Sequence, residues 1–407
     1  MLVRTERVVI AGAGLAGLRT AEELRAKGYS GAITMVGAEP RPPYDRPPLT
    51  KKFMTGQLDD TTLAADPAAL GMDLRLAEAA TGLDGGVLRT DRGEHAFDAL
   101  VLATGAAPVG LPGSGGQQFL RTFDDACALR EALRPGTRLA VVGAGWIGAE
   151  LATTARARGC QVTVVEAAPS PLAGALGEEV GSTTVPWYAD AGVDLRLGLP
   201  VESVERDGLV LPGGGWLPAD LTVVAVGVRP RVEWLAGSPV KLENGVAVDE
   251  RLRTSVPGVY AAGDCAAFVS GRYGRRLRVE HWDSALHAPG VVAANILGGD
   301  ETYDPVPYFW SEQFGRMLQY AGHHSRGDRL VWRGDPADRE WAACWLTASR
   351  PDSPGAEDGT GERMVALLTV GRPRDLLQGR RLIAAGAAVD PGRLADPGVP
   401  VRDAGAT

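Results

Sequence analysis

Two glycine clusters are the stretches of this 407-residue chain whose residue types and spacing are best suited to chemistry. In the first, an apolar run from Val8 ends in Gly12-Ala13-Gly14-Leu15-Ala16-Gly17, and a helical pattern from Leu15 to Lys27 follows. Strand, glycine turn and helix in that order seat a pyrophosphate on a helix N-terminus. Gly12 permits the tight turn, Gly14 lets backbone approach phosphate with no Cβ in the way, and Gly17 lets helix and strand pack closely. One such turn is weak evidence. The second copy, LAVVGAGWIGAE over Leu139–Glu150, is what gives it force, with Gly143, Gly145 and Gly148 in the glycine positions, Ile147 between them and Glu150 closing the motif. Two dinucleotide seats in one chain point to a protein that passes electrons between two nucleotides.

Each seat needs a carboxylate for a ribose. After the first helix, which Gly28 ends, Ala32–Val36 reads as a strand, and Glu39 follows its end. After the second helix, Gln161–Val165 reads as a strand with Glu166 flush at its end. A carboxylate there repels a 2′-phosphate, and no arginine follows in Glu166-Ala167-Ala168-Pro169, so NADH is favoured over NADPH. Between the seats, PYDRPPLTK (Pro43–Lys51) is a loop stiffened by three prolines, in which Arg46 and Lys51 supply cations suited to a pyrophosphate or an electron-rich ring. Asp98–Gly105 (DALVLATG) is a short apolar strand entering a glycine turn, and Pro108–Gly116 reads as a hinge. Ala219–Gly227 reads as a fully buried parallel strand ending on Gly227.

Composition narrows the class. A net charge of −8 argues against generic nucleic-acid binding, and no apolar segment approaches the roughly 20 residues of a membrane span. Arg4 and Arg7 before an apolar run sketch the outline of a secretory signal, but the same residues fill every slot of the fingerprint. The four cysteines, Cys127, Cys160, Cys265 and Cys344, are scattered, with no metal-ligand spacing, which fits a reducing cytoplasm and no metal site. None lies in the loop after the first seat, so thiol–disulfide chemistry is not expected.

GAGLAGLRTAEELR, PYDRPPLTK, VLATGA, VVGAGWIGAE and GVYAAGDC, in this order, resemble the FAD-dependent ferredoxin reductases of bacterial oxygenase systems, in the pyridine nucleotide–disulfide oxidoreductase superfamily. The resemblance covers nearly the whole chain. It implies a glutathione-reductase-like α/β fold: two Rossmann-type dinucleotide-binding domains plus a C-terminal α+β domain. The divisions expected are 1–111 with 242–308 for FAD, 112–241 for NAD, and 309–407 at the end.

The resemblance also implies roles. Arg46 and Lys51 lie against FAD, Lys51 near the flavin N5 and paired with Glu150. Ala103, Thr104 and Gly105 come close to the flavin nucleotide. Gly263 and Asp264 reach the ribityl chain, although an aspartate after a buried run also suits a helix N-cap. Glu280-His281-Trp282 opens a helix aimed at the flavin's pyrimidine side, and Trp310 lies beside the ring. NAD takes Gly143, Gly145, Ile147, Gly148, Glu150, Glu166 and Gly227. The histidines His281 and His287 read as structural rather than acid–base groups. Two departures stand out. Ala288-Pro289-Gly290 replaces the usual Gln-Gly, which leaves the helix past His287 open, and the Pro171–Gly177 loop has no basic residue to grip adenosine.

Beyond Trp310, alternation around Met317–Tyr320, Leu330–Trp332, Trp341–Leu346 and Met364–Val370 predicts antiparallel strands. Ser349–Arg363 reads as an inserted polar loop, Arg374–Ala385 as a helix, and the tail from Asp390 as loose. The expected reaction takes hydride from NADH onto FAD and passes single electrons to a small, acidic iron–sulfur ferredoxin, docked on a basic patch drawn from Arg372, Arg374, Arg380 and Arg381. The protein is expected to be a monomer or weak dimer. The alternatives are a related flavoenzyme reducing oxygen, a quinone or an organic radical, and a redox-responsive FAD/NADH-binding protein.

Overall fold

In a computed structural model, residues 5–349 and 361–405 are described. Arg4 and most of the polar loop over Ser349–Arg363 fall outside them. In chain order the elements that matter here begin with β1 (Arg7–Ala11), α1 (Leu15–Ala26), β2 (Ala32–Gly37), β3 (Met72–Leu76) and β4 (Ala99–Leu102). Next come α2 (Phe123–Ala132), β5 (Arg138–Val142), α3 (Trp146–Ala157), β6 (Gln161–Val165), β7 (Asp194–Arg196) and β8 (Leu221–Val224). Then follow β9 (Val259–Ala261), α4 (Trp282–Ile296), β10 (Tyr308–Gln313), β11 (Arg316–Gly322) and β12 (Arg329–Arg333). The chain closes with β13 (Trp341–Ala348), β14 (Glu362–Val370), α5 (Pro373–Ala385), β15 (Ala388–Val389) and α6 (Pro391–Ala395).

The chain divides into two compact units. The first holds the chain up to Asp45, Thr61–Ala107 and Val228–Pro307; the second holds Arg46–Asp60, Pro108–Gly227 and everything from Tyr308 onward. The partition expected from the sequence follows cofactors, whereas these units follow packing. The Arg46–Asp60 loop and the C-terminal sheet therefore travel with the second glycine motif.

In the first unit a parallel sheet runs β9–β4–β1–β2–β3, with Val8 opposite Ile33 and Ala99. Val8–Ala11 and Ala99–Leu102 are buried throughout, as central strands covered on both faces must be. The helix that the sequence left open past His287 runs on to Ile296 with Pro289 inside it and buried. A proline there forfeits one helical hydrogen bond. Beside it Gly290 faces Glu23 of α1, where a Cβ would stand in ordinary contact at 3.6 Å.

In the second unit the parallel sheet runs β7–β6–β5–β8, with Gln117–Gln118 on its edge. From Tyr308 onward the described strands form an antiparallel sheet in the order β10–β11–β14–β13–β12, and β15 pairs with β14. Helix α5 rides close on it, since a Cβ at Gly379 would meet Leu367 Cδ2 at 2.3 Å. The tail is not loose. Arg333, 1% exposed, pairs with Asp375 at 2.9 Å and donates to the carbonyls of Leu394 (3.1 Å), Asp396, Pro397 (3.4 Å) and Val399 (2.7 Å). A buried guanidinium needs such acceptors, and the tail supplies them.

Candidate active site

The two glycine turns are built alike. At the first, Gly12 N–H donates to Val36 O at 2.8 Å; at the second, Gly143 N–H donates to Val165 O at 2.8 Å. Gly12 (φ +125°) and Gly143 (φ +103°) leave no room for a side chain, because a Cβ would lie 2.1 Å from Ala103 O or 2.6 Å from Ala225 O. Gly17 and Gly148 let each helix close onto its own turn, a Cβ falling 1.9 Å from Gly12 O and 2.0 Å from Gly143 O. Gly14 and Gly145 differ. Nothing stands within 4 Å of a Cβ at either, so their bareness serves no internal packing.

That open space is the test for dinucleotides. Helices α1 and α3 begin at Gly14 and Gly145 with no side-chain cap and no acidic residue in the first turn. By contrast α2 is closed by a reciprocal capping box, Thr122 with Asp125, and has two acids in its first turn. Uncapped N-terminal amides, a positive helix end and a glycine that makes way suit a pyrophosphate. The residues fit two dinucleotides.

Around the first turn, Ala103 N–H donates to Ala11 O at 2.8 Å, and Thr104 Oγ1 donates to Arg231 O at 2.7 Å. Gly105 (φ +69°) accepts from Arg231 N–H at 2.9 Å. Gly263 (φ +75°) would bring a Cβ to 3.0 Å from Ala16 of α1, so the end of β9 abuts the opening turn of that helix and delivers Asp264 there, half-buried. Glu39, also half-buried, accepts from Tyr44 Oη at 2.7 Å. Arg278 pairs with Glu280 at 2.5 Å, His281 is the N-cap residue of α4, and Trp282 Nε1 donates to Asp45 at 2.7 Å. Burial holds the Asp45 carboxyl above its usual range, with the indole bond opposing that shift. His287 is exposed and lies 3.5 Å from the largely buried Asp283 one turn back.

At the second turn Glu166 accepts from Ala144 N–H (2.7 Å) through one oxygen and from Ala168 N–H (2.8 Å) through the other. Both bonds fix the carboxylate, and each oxygen keeps a lone pair for a ribose hydroxyl. Burial, reinforced by the Glu166 charge, holds the Tyr188 hydroxyl above its ordinary range. Ile147 is 41% exposed, and Gly227 (φ +115°) has open space where a Cβ would stand.

Lys51 and Glu150 form an ion pair at 2.6 Å, the pairing that the resemblance implied. Glu150 is 4% exposed. A buried carboxylate needs hydrogen bonds as well as a cation to satisfy it, and two residues the sequence reading missed supply them. Thr50 Oγ1 donates to Oε2 at 2.5 Å and Ser311 Oγ to Oε1 at 2.6 Å. Gln313 Nε2 in turn reaches Ser311 Oγ at 3.0 Å. Alternation along Tyr308–Gln313 puts Phe309, Ser311 and Gln313 on one face, the only sequence signal that could have found the two polar ones. Arg46 donates to the carbonyl of Arg121. Trp310 stacks with Tyr308 at 6.1 Å.

Among the described residues no group of acids, cysteines and histidines is placed to hold a metal ion, and no helix is long and apolar enough to cross a membrane. The four cysteines form no disulfide with one another, and burial holds the thiols of Cys160, Cys265 and Cys344 above the usual range, away from nucleophilic use.

Two parallel sheets, each with an uncapped glycine-turn helix, define a two-dinucleotide α/β oxidoreductase. The chain belongs to the pyridine nucleotide-disulphide oxidoreductase family, whose profile matches residues 6–288, and a reductase C-terminal domain matches 308–353 and 358–405. It is 37% identical to the ferredoxin–NAD(+) reductase component of the anthranilate 1,2-dioxygenase system of Burkholderia cepacia, over 96% of this chain and 97% of that one. It is 35% identical to rhodocoxin reductase of Rhodococcus erythropolis, over 96% and 92%. Among solved structures it resembles Fdr9 (TM-score 0.91, 48% identity, 97% of this chain and 99% of that). It also resembles the reductase in the covalent putidaredoxin reductase–putidaredoxin complex (TM-score 0.90, 31% identity, 98% and 97%). The cofactors of such reductases are FAD and NAD(H), and the two seats fit that pair.

Proposed function

We propose that this chain is an NADH-dependent ferredoxin reductase, a cytoplasmic FAD flavoprotein that supplies electrons to a small iron–sulfur protein feeding an oxygenase. The observation that carries this reading is the pair of glycine turns built alike, one in each unit. The names of its relatives point the same way. Bound FAD would accept a hydride from NADH and hand electrons on singly. The chain's own part is to bind, orient and tune. The α1 turn, Glu39, Ala103–Gly105 and Gly263–Asp264 hold FAD, and α4 offers it an N-terminus beginning at Glu280-His281-Trp282. The α3 turn, Ile147, Glu166 and Gly227 hold NADH. Lys51, with Arg46 and Trp310, addresses the flavin, and Glu150 keeps the ammonium in place. The division by cofactor into 1–111 with 242–308, 112–241 and 309–407 follows from these roles.

Partner docking falls to α5, on a narrower patch than the sequence suggested. Arg372 is drawn in to pair with Asp375 at 2.7 Å, and Arg380 lies over the Tyr308 ring at 4.7 Å. Arg374, Leu377 and Arg381 recur at helical spacing, all exposed, and Leu377 is 56% exposed. Two cations around an apolar residue suit an acidic ferredoxin surface.

The purified protein, mixed with NADH and a panel of ferredoxins, tests the reading. Rapid bleaching of the flavin, turnover with a ferredoxin and a rate that falls with salt are expected. A flavin that NADH reduces but that passes electrons only to oxygen or quinones makes the chain an oxidase or quinone reductase. A long-lived complex with negligible turnover makes it a binding protein.

A further inference from the structure

We propose that Ser311 and Gln313, on the C-terminal sheet, are positioning residues for the Lys51–Glu150 pair. This rests on the reading of Lys51 as the cation that addresses the flavin.

The direction of the hydrogen bonds is fixed by chemistry. An ionised Glu150 only accepts, so Ser311 must spend its one proton on Oε1 at 2.6 Å. The serine oxygen is then an acceptor, and the Gln313 amide fills it at 3.0 Å. Lys51 and Thr50 occupy Oε2. Donors thus arrive at both carboxylate oxygens, from different parts of the chain. Along such a directed series each bond polarises the next toward the anion.

The series exists because a strand face is matched to a helix face. Phe309, Ser311 and Gln313 alternate along β10, while Trp146, Glu150 and Thr153 recur along α3 at intervals of four and three. Phe309 meets Trp146 edge-on at 4.5 Å, Ser311 meets Glu150, and the N–H of Phe314 donates to Thr153 Oγ1 at 3.0 Å. The hairpin tip that makes the last contact is strained. Phe314 (φ +51°) and Gly315 (φ +72°) both take left-handed backbone, the two-residue turn that normally excludes an aromatic side chain at its first position. Phe314 is kept there by its bond to Thr153 and by its ring against Tyr188 at 4.6 Å. The strain is offset by a fixed register, and the register puts Ser311 on Glu150.

Gln313 is fully buried, and its Oε1 has no hydrogen-bond partner. An unsatisfied buried carbonyl costs stability, so a residue kept only for packing would be apolar. The amide is kept because its N–H is needed by Ser311.

The test uses the FAD-loaded protein and the variants Ser311→Ala, Ser311→Thr and Gln313→Leu. For Ser311→Ala the limiting rate of flavin reduction falls about tenfold, the equivalent of one hydrogen bond to a charged group, while the NADH dissociation constant stays within about twofold. The midpoint potential of the bound FAD moves to more negative values, because a less firmly held ammonium favours the reduced flavin less. Ser311→Thr restores both. Gln313→Leu lowers the rate in the same direction yet unfolds no earlier than wild type, a combination that loss of packing does not produce. An unchanged rate and potential in Ser311→Ala, beside a wild type that NADH reduces normally, overturns this proposal alone. A fall that Ser311→Thr fails to rescue and that tracks loss of FAD also overturns it. A wild type that takes up no reducible FAD overturns both this proposal and the reading beneath it.

Discussion

Trp282 donates its indole N–H to Asp45 across 2.7 Å, joining the first residue of α4 to the loop that follows β2. The carboxylate receiving that bond is half-buried, and burial raises its pKa. The folded form therefore favours protonated Asp45 more than the unfolded chain does. Its contribution to stability is complete below the ordinary aspartate range and is lost as pH rises through the raised folded value. At neutral pH the ionised group is a liability that the indole only partly relieves. Asp45→Asn keeps an oxygen for Trp282 and removes the charge. Its melting temperature should exceed wild type at neutral pH and converge with it as pH falls through the acid range, as calorimetry across pH would read.

Replacing Lys51 by Met should slow flavin reduction or loosen FAD, measured by stopped-flow and by flavin retention on a desalting column. It also leaves Glu150 buried with hydroxyl donors but no cation, which costs about 3 kcal/mol or more. Lys51→Met with Glu150→Gln should recover much of that stability without recovering the rate. A double variant no more stable than Lys51→Met would refute the electrostatic account.

The glycines separate folding from binding. Gly12→Ala and Gly143→Ala force a Cβ into carbonyl oxygens and should destabilise the chain even without cofactor. Gly14→Ala and Gly145→Ala meet nothing, so the cofactor-free protein should melt within a degree or so of wild type. FAD retention should fail in the first, and the NADH KM should rise about tenfold or more in the second.

Glu166→Ser withdraws a carboxylate held by two backbone amides. The NADH KM should rise about tenfold, and the preference for NADH over NADPH should shrink, since the charge that repels a 2′-phosphate is gone. Steady-state kinetics with both nucleotides measure this directly.

His324 stacks on Trp345 at 4.2 Å, and its Nδ1 lies 2.7 Å from Tyr320 Oη. Burial, helped by His323, lowers its pKa to about 4, with Asp328 opposing. A depressed folded value means stability that is present above the ordinary histidine range and is lost as pH falls toward that of the folded state. His324→Phe keeps the stack and cannot take up the proton. Its urea midpoint should fall less steeply than that of wild type as acid is added.

Both seats were legible in the sequence because their chemistry is local. The turn of Gly12–Gly17 with the strands beside it lies within one βαβ unit, and that of Gly143–Gly148 with its strands and the acid at Glu166 within another, where spacing decides geometry. The C-terminal strands announced themselves by alternation. What stayed hidden depends on contacts distant along the chain. Thr50 and Ser311 reach Glu150 from 100 and 161 residues away, and no local pattern encodes that meeting. Pro289 inside α4 broke a local rule that packing against α1 overrode. The basic patch shrank because Asp375 and Tyr308 claim two of its four arginines.

Arg333 makes the last stretch of the chain part of the interior rather than an appendage. A protein cut back to before Asp390 would strand a guanidinium at the bottom of the final sheet, with one carboxylate and none of its peptide oxygens. Shortening for crystallisation, often treated as harmless trimming, would therefore strike at the seating of α5 and the arginines proposed to face a partner.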